Sequence, residues 1–133
     1  MAVYTRVNSK DINYIEKNYN IGKIKSFTGI KKGIENTNYL LKTENKKFIL
    51  TLFEKRVHEK DLPFFMNLME KLNKHKINCP EPQRNKKGGF IIKIKSKTAS
   101  IVSFVEGKDK LKLNPKNCYE IGKNIAKLHM ASK

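Results

Sequence analysis

Apolar positions along the chain recur with two different periods, and the switches between them lay out the elements. Behind Asn8-Ser9-Lys10-Asp11, a polar helix start, Ile12, Ile15 and Tyr19 stand at helical spacing, and Gly22 closes that helix. Residues 23–29, with Ile24, Ser26 and Phe27 ahead of Gly29, read as a first strand. A turn-rich stretch to Asn38 follows, then strands over 39–43 and 48–53 around a tight turn. The density of apolar residues in Phe48-Ile49-Leu50-Thr51-Leu52-Phe53 predicts a strand buried on both faces. Asp61-Leu62-Pro63 opens the strongest helix, since proline is pre-organised for a first turn. Leu62, Phe65, Met66, Leu68, Met69 and Leu72 give it a wide apolar face, and it ends near residues 74–76. The segment Cys79-Pro80-Glu81-Pro82 is held extended by its prolines. Beyond a turn at 85–89 come strands over 90–94 and 99–105, a break at 106–109, and a last helix capped by Asn114-Pro115, with Ile121, Ile125 and Leu128 on one face.

The order is helix, three strands, helix, two strands, linker, helix. It predicts an α+β lobe: a mixed, mostly antiparallel five-stranded sheet with one packed helix. No internal repeat or low-complexity tract interrupts it.

Composition changes this picture little. The net charge of +17 raises nucleic-acid or anionic-membrane binding. The lysines, however, are spread along the whole chain beside abundant Asn and Ile, so no nucleic-acid or membrane partner is expected. No apolar run approaches a membrane span, and the first residues have no signal core, which predicts a cytoplasmic protein. Cys79 and Cys118 belong to no ligand pattern, nor do His58, His75 and His129, so no metal site is expected.

Two segments can carry chemistry. Between two strands, residues 29–38 hold Gly29 and Gly33, which allow close approach of backbone to a ligand and amides aimed at phosphate. It is not a Walker loop, because no GK[ST] closes it, and an ordinary hairpin is equally compatible. The second segment, Ser103-Phe104-Val105-Glu106-Gly107, ends an apolar strand; it can offer carbonyl and amide groups to a flat heterocycle, or simply turn the chain.

Several blocks, taken in order, resemble the bacterial homoserine kinases of the aminoglycoside-phosphotransferase and choline-kinase-like superfamily. They are Met1-Ala2-Val3-Tyr4-Thr5, Gly33-Ile34-Glu35-Asn36-Thr37-Asn38-Tyr39-Leu40-Leu41, Phe48 through Arg56, Asp61-Leu62-Pro63-Phe64-Phe65, Cys79-Pro80, Ile101 through Gly107, and Ile125-Ala126-Lys127-Leu128-His129. The resemblance implies a protein-kinase-like small lobe over residues 1–102, a hinge over 103–113, and the first helix of a truncated large lobe over 114–133. It implies ATP as the nucleotide and phosphorylation of L-homoserine in threonine biosynthesis.

By position it places Gly33, Asn36, Thr37 and Asn38 on the nucleotide loop. Ser103 and Val105 fall on the hinge, where backbone groups would hold adenine, with Ile24, Leu50 and Val102 as apolar contacts. Thr51 occupies the place of the superfamily's strand lysine, and Phe65 that of its helical glutamate. A lone buried carboxylate would be costly, so losing both is self-consistent. Lys32, Lys55 and Arg56 are then the candidate phosphate cations.

The superfamily's H-G-D-x-x-x-x-N loop, which supplies catalytic base and Mg2+ ligands, has no counterpart here. This chain is therefore expected to be an inactive N-terminal fragment with no catalytic residue, with Mg2+ belonging to the full-length enzyme. His129 is expected to serve helix packing, and the last helix to leave an apolar face open to self-association. A non-catalytic basic module that binds nucleic acid or a protein partner is the alternative.

Overall fold

The computed structural model describes residues 3–55 and 57–133. Helix α1, Ser9–Asn18, begins where the sequence puts its cap. The Asn8 side chain accepts from the Lys10 and Asp11 amides at 3.0 and 3.2 Å, and the Asp11 carboxylate accepts from the Asn8 amide at 2.9 Å. This reciprocal box satisfies amides that a helix start otherwise leaves open. Asn8→Ala is expected to lower stability by about 1 kcal/mol in thermal unfolding.

Strands β1 (Ser26–Gly29), β2 (Thr37–Lys42) and β3 (Lys47–Phe53) follow as a meander. After a short 3-10 turn, helix α2 (Leu62–Lys74) crosses over to β4 (Ile91–Ile94) and β5 (Lys97–Ser103). The sheet order is β1-β2-β3-β5-β4, and each neighbouring pair is antiparallel. The expected mixed sheet is thus corrected. Because β4 and β5 form a hairpin turned by Lys95 and Ser96, both at positive φ, β5 reaches β3 running the opposite way. β5 ends at Ser103, not at residue 105, since β3 starts at Lys47 and offers Phe104 only one further carbonyl.

Burial alternates along β3 and corrects the expectation of two covered faces. Phe48, Leu50 and Leu52 are buried, whereas Ile49, Thr51 and Phe53 are half-buried. The first set joins Ile12, Ile15, Tyr19, Tyr39, Leu41, Ala99 and Ile101 in a core between the sheet and α1. Tyr19 lies in it with its hydroxyl donating to the Phe90 carbonyl at 3.1 Å, and burial pushes its phenol pKa upward. The second set faces α2, which covers only part of that side with Leu62, Met66 and Leu72.

Helix α3, Pro115–Ser132, is capped by Asn114. It touches α2 around a cavity lined by His75, Ile77, Lys127 and Ala131. Its apolar residues Tyr119, Ile121, Ile125, Leu128 and Met130 are exposed. His129 is exposed too. Among the described residues no helix is long and apolar enough to cross a membrane.

Candidate nucleotide site

In a pleated sheet, side chains of directly paired residues point the same way. The register pairs Leu40 with Ile49 and Ile49 with Val102, and likewise Asn38 with Thr51 and Thr51 with Ser100. These residues form the open face, away from α1. At one end Leu40, Ile49 and Val102 make a half-buried apolar strip. Next to it lies a cavity of about 280 Å³, lined by Thr51, Phe53, Phe65, Met66, Met69 and Val102 among others.

Thr51 and Phe65, the residues standing where a lysine and glutamate were sought, therefore line one cavity. The Thr51 hydroxyl donates to Asn38 Oδ1 at 2.7 Å, a neutral pair across β2 and β3.

The same parity corrects two of the proposed adenine contacts. Leu50 is 0% exposed and points into the α1 core, as does Ile24, so neither side chain reaches the open face. The apolar residues that do stand on the open face are Leu40 and Ile49. Their signal was present as a period of two around Thr51.

Thr37 is also withdrawn from the open face. Its side chain is wholly buried on the α1 side, where its oxygen accepts from the Tyr4 and Thr5 amides at 2.9 and 3.1 Å and donates to Glu54 at 2.7 Å. Glu54 in turn accepts from the Thr5 hydroxyl at 2.7 Å and pairs with Lys97 at 3.1 Å. Desolvation raises its pKa, but the hydrogen bonds from Thr37, Thr5 and Lys97 outweigh this and hold it below the ordinary glutamate value.

In the loop between β1 and β2, Gly33 adopts φ +124°, a conformation that favours glycine. Asn36 accepts from the Glu54 amide at 3.4 Å, which joins the loop to the end of β3. At Gly29 the close approach is made by the chain itself: a Cβ there would lie 2.8 Å from Val3 Cγ2.

Of the three candidate cations, Lys55 stands beside the loop, lining a cavity of about 430 Å³ with Tyr4, Ile34, Glu35 and Glu54. Lys32 is turned to Asp109 at 3.2 Å, bridging the loop to the linker across solvent. Arg56 lies outside the described residues.

At the sheet's other edge, residues 81–83 pair with the end of β5. The Ser103 amide donates to the Glu81 carbonyl at 2.8 Å, and the Ser103 hydroxyl accepts from the Glu81 amide at 2.8 Å. Of its backbone groups, Ser103 therefore has only its carbonyl to offer a ligand. Val105, two residues on, makes no backbone hydrogen bond among the described residues, so its N–H is available. Lys47 closes over this corner, paired with Glu106 at 2.7 Å and set 5.3 Å from the Phe104 ring centroid.

Among the described residues no three His, Cys, Asp or Glu side chains converge as metal ligands. Cys79 is half-buried, and burial pushes its thiol pKa up.

Residues 26–133 match the phosphotransferase enzyme family. A homoserine kinase of Parvibaculum lavamentivorans is 44% identical over 131 residues, 98% of this chain and 41% of that protein. One of Beijerinckia indica is 43% identical over the same shares. The chain thus spans about two fifths of the length of these relatives. Among solved structures, spectinomycin phosphotransferase in complex with ADP and spectinomycin superposes with a TM-score of 0.74 at 15% identity, over 97% of this chain and 40% of that one. Its AMP-bound complex gives 0.70 at 16% identity. The five-stranded antiparallel sheet with its helices is the kinase-like small-lobe fold of those enzymes. By its match from residue 26 to residue 133, and in agreement with that fold, the chain belongs to the phosphotransferase enzyme family.

Proposed function

We propose that the chain is the nucleotide-binding lobe of an ATP-dependent homoserine kinase, which phosphorylates L-homoserine to O-phospho-L-homoserine in the cytoplasm. The observation that carries this reading is the apolar strip Leu40, Ile49 and Val102 running up to the unspent N–H of Val105. A flat purine can lie on the strip with its edge toward the Ser103 carbonyl and the Val105 amide. The homoserine kinase relatives supply the choice of substrate.

From there the triphosphate would run toward Gly33, Asn36 and Asn38, with Lys55 as its cation and the Thr51–Asn38 pair beneath. Residues 1–102 act as the lobe, 103–113 as the hinge, and 114–133 as the first helix of a second lobe, whose remainder would cover the apolar face of α3. In this chain alone that face would favour self-association. Among the described residues the donor set does not fit a magnesium site, and the sequence has no H-x-D, so catalytic base and metal ligands are assigned to the second lobe.

Binding of ATP to the chain is the test, with adenosine as competitor. Ile49→Glu places a carboxylate under the purine and is expected to weaken binding at least about tenfold, roughly 1.4 kcal/mol. Incubation with L-homoserine and Mg-ATP is expected to yield no phosphohomoserine; product formation would show that the chain is more than a nucleotide lobe.

The competing reading, a basic binding module, starts from the net charge of +17 and a groove lined by Lys23, Lys25 and Lys46. It requires binding to any polyanion that falls steeply with salt, and indifference to Ile49→Glu.

A further inference from the structure

The N-terminal arm, residues 3–7, is not needed to complete the sheet, yet it is bonded to one end and the tip of the β1–β2 loop and packs on the other end. Its anchor lies on β2. The Tyr4 and Thr5 amides donate to Thr37, the Val7 amide donates to the Tyr39 hydroxyl at 3.0 Å, and that hydroxyl donates to the Thr5 carbonyl at 3.2 Å. Val3 packs on Gly29 at the opposite end of the loop, where there is no room for a side chain. From this anchor the Tyr4 hydroxyl reaches the Ile34 carbonyl at 2.7 Å.

Packing does not account for Tyr4. It is 56% exposed, and Ile34 beside it is 83% exposed, so little apolar area is removed from water. What Tyr4 contributes is a direction. In a planar trans peptide the carbonyl and the following N–H point opposite ways. Holding the Ile34 carbonyl toward the arm therefore turns the Glu35 N–H away from it. The loop is also tied near its ends, by Ile30 donating to the Asn38 carbonyl at 2.8 Å and by Asn36 accepting from the Glu54 amide at 3.4 Å, while Lys32 meets Asp109 in open solvent.

We propose that Tyr4 is a positioning residue for the phosphates of the bound nucleotide: its hydroxyl sets the peptide orientation at the tip of the β1–β2 loop before the ligand arrives. This rests on the nucleotide-lobe reading for its ligand, but not for its hold on the loop. Preorganised amides give up less freedom on binding than mobile ones, so the effect falls on phosphate recognition and not on the purine.

The test compares the chain with Tyr4→Phe, which deletes one exposed oxygen and leaves the fold otherwise unchanged. Without nucleotide, amide exchange over residues 30–36 is expected to quicken about fivefold or more, as local opening becomes easier. With nucleotide, affinity for ATP is expected to fall about fivefold while affinity for adenosine is unchanged. Gly29→Ala, which pushes Val3 off the strand end, is expected to quicken the same amides without touching the hydroxyl.

Unchanged exchange in Tyr4→Phe overturns the proposal, as does equal weakening of ATP and adenosine. A parent chain that binds neither ligand overturns the nucleotide reading instead, and the exchange measurement still decides whether Tyr4 holds the loop.

Discussion

Leu50→Ala is expected to cost about 3 to 4 kcal/mol in chemical or thermal unfolding, the largest effect of any single truncation named here. Leu50 is 0% exposed, sits on the central strand, and pairs with Tyr39 on one side and Ile101 on the other. Deleting three carbons there leaves a cavity walled by β2, β5 and α1. Neighbours on two hydrogen-bonded strands cannot close it without moving the ladder, so the cost lies above that of transfer alone. Against a total stability of about 5 to 15 kcal/mol, it would remove a large share of the folded state's margin.

Ile49→Ala is the control that gives the experiment its meaning. Ile49 precedes Leu50 on the same strand but faces the open side, half-buried, so its loss is expected to cost only about 1 kcal/mol. Equal effects at the two positions would mean that the sheet is covered on both faces, contrary to the alternation in β3.

The second large effect is expected at Glu54, where the arm, β2 and β5 meet. Glu54→Ala removes the acceptor for the Thr37 and Thr5 hydroxyls and the partner of Lys97. The Thr37 hydroxyl is fully buried and would be left with its donor unmet, which together with the lost charged bonds is worth about 3 kcal/mol. Glu54→Gln keeps an acceptor oxygen and loses only the charge, so about 1 kcal/mol is expected.

The two variants also separate in pH. The carboxyl of Glu54 is held below its unfolded value, so the folded state binds its proton less readily than the unfolded one. Its contribution is therefore fully present above the unfolded glutamate pKa of about 4.3, and it fades as the pH falls through the folded value. Glu59 and Glu70 are held low as well, by Lys93 and Arg84, and add to the parent's acid sensitivity. The difference between the parent and Glu54→Gln isolates Glu54. It should be constant near neutrality and shrink below about pH 4; a difference that grew with acid would reverse the assigned shift.

Much of the fold was legible in the residues because its signals are local. Asn8 with Asp11, Pro63 near the start of α2, and Asn114 with Pro115 all state helix starts through bonds made within one turn. The order of strands and helices followed from periodicity, and the family followed from blocks such as residues 33–41 and 101–107. The site was less legible. Thr51 and Phe65 were read as a pair, and they line one cavity together with Val102. Leu50 and Ile24 were placed with Val102 against the base but face the α1 core.

The chain by itself determined which segments become helix or strand, since capping, turn chemistry and side-chain period act over a few residues. Only the tertiary structure decided which face of each strand is covered. That depends on α1 lying over one side while α2 leaves part of the other bare. It also decided that Thr37 is an anchor for the arm, that the Ser103 amide is spent on Glu81, and that Tyr4 reaches Ile34. Each of those bonds joins residues from 22 to 33 positions apart. No local pattern encodes such a distance; it exists only once the hydrophobic faces have chosen their partners.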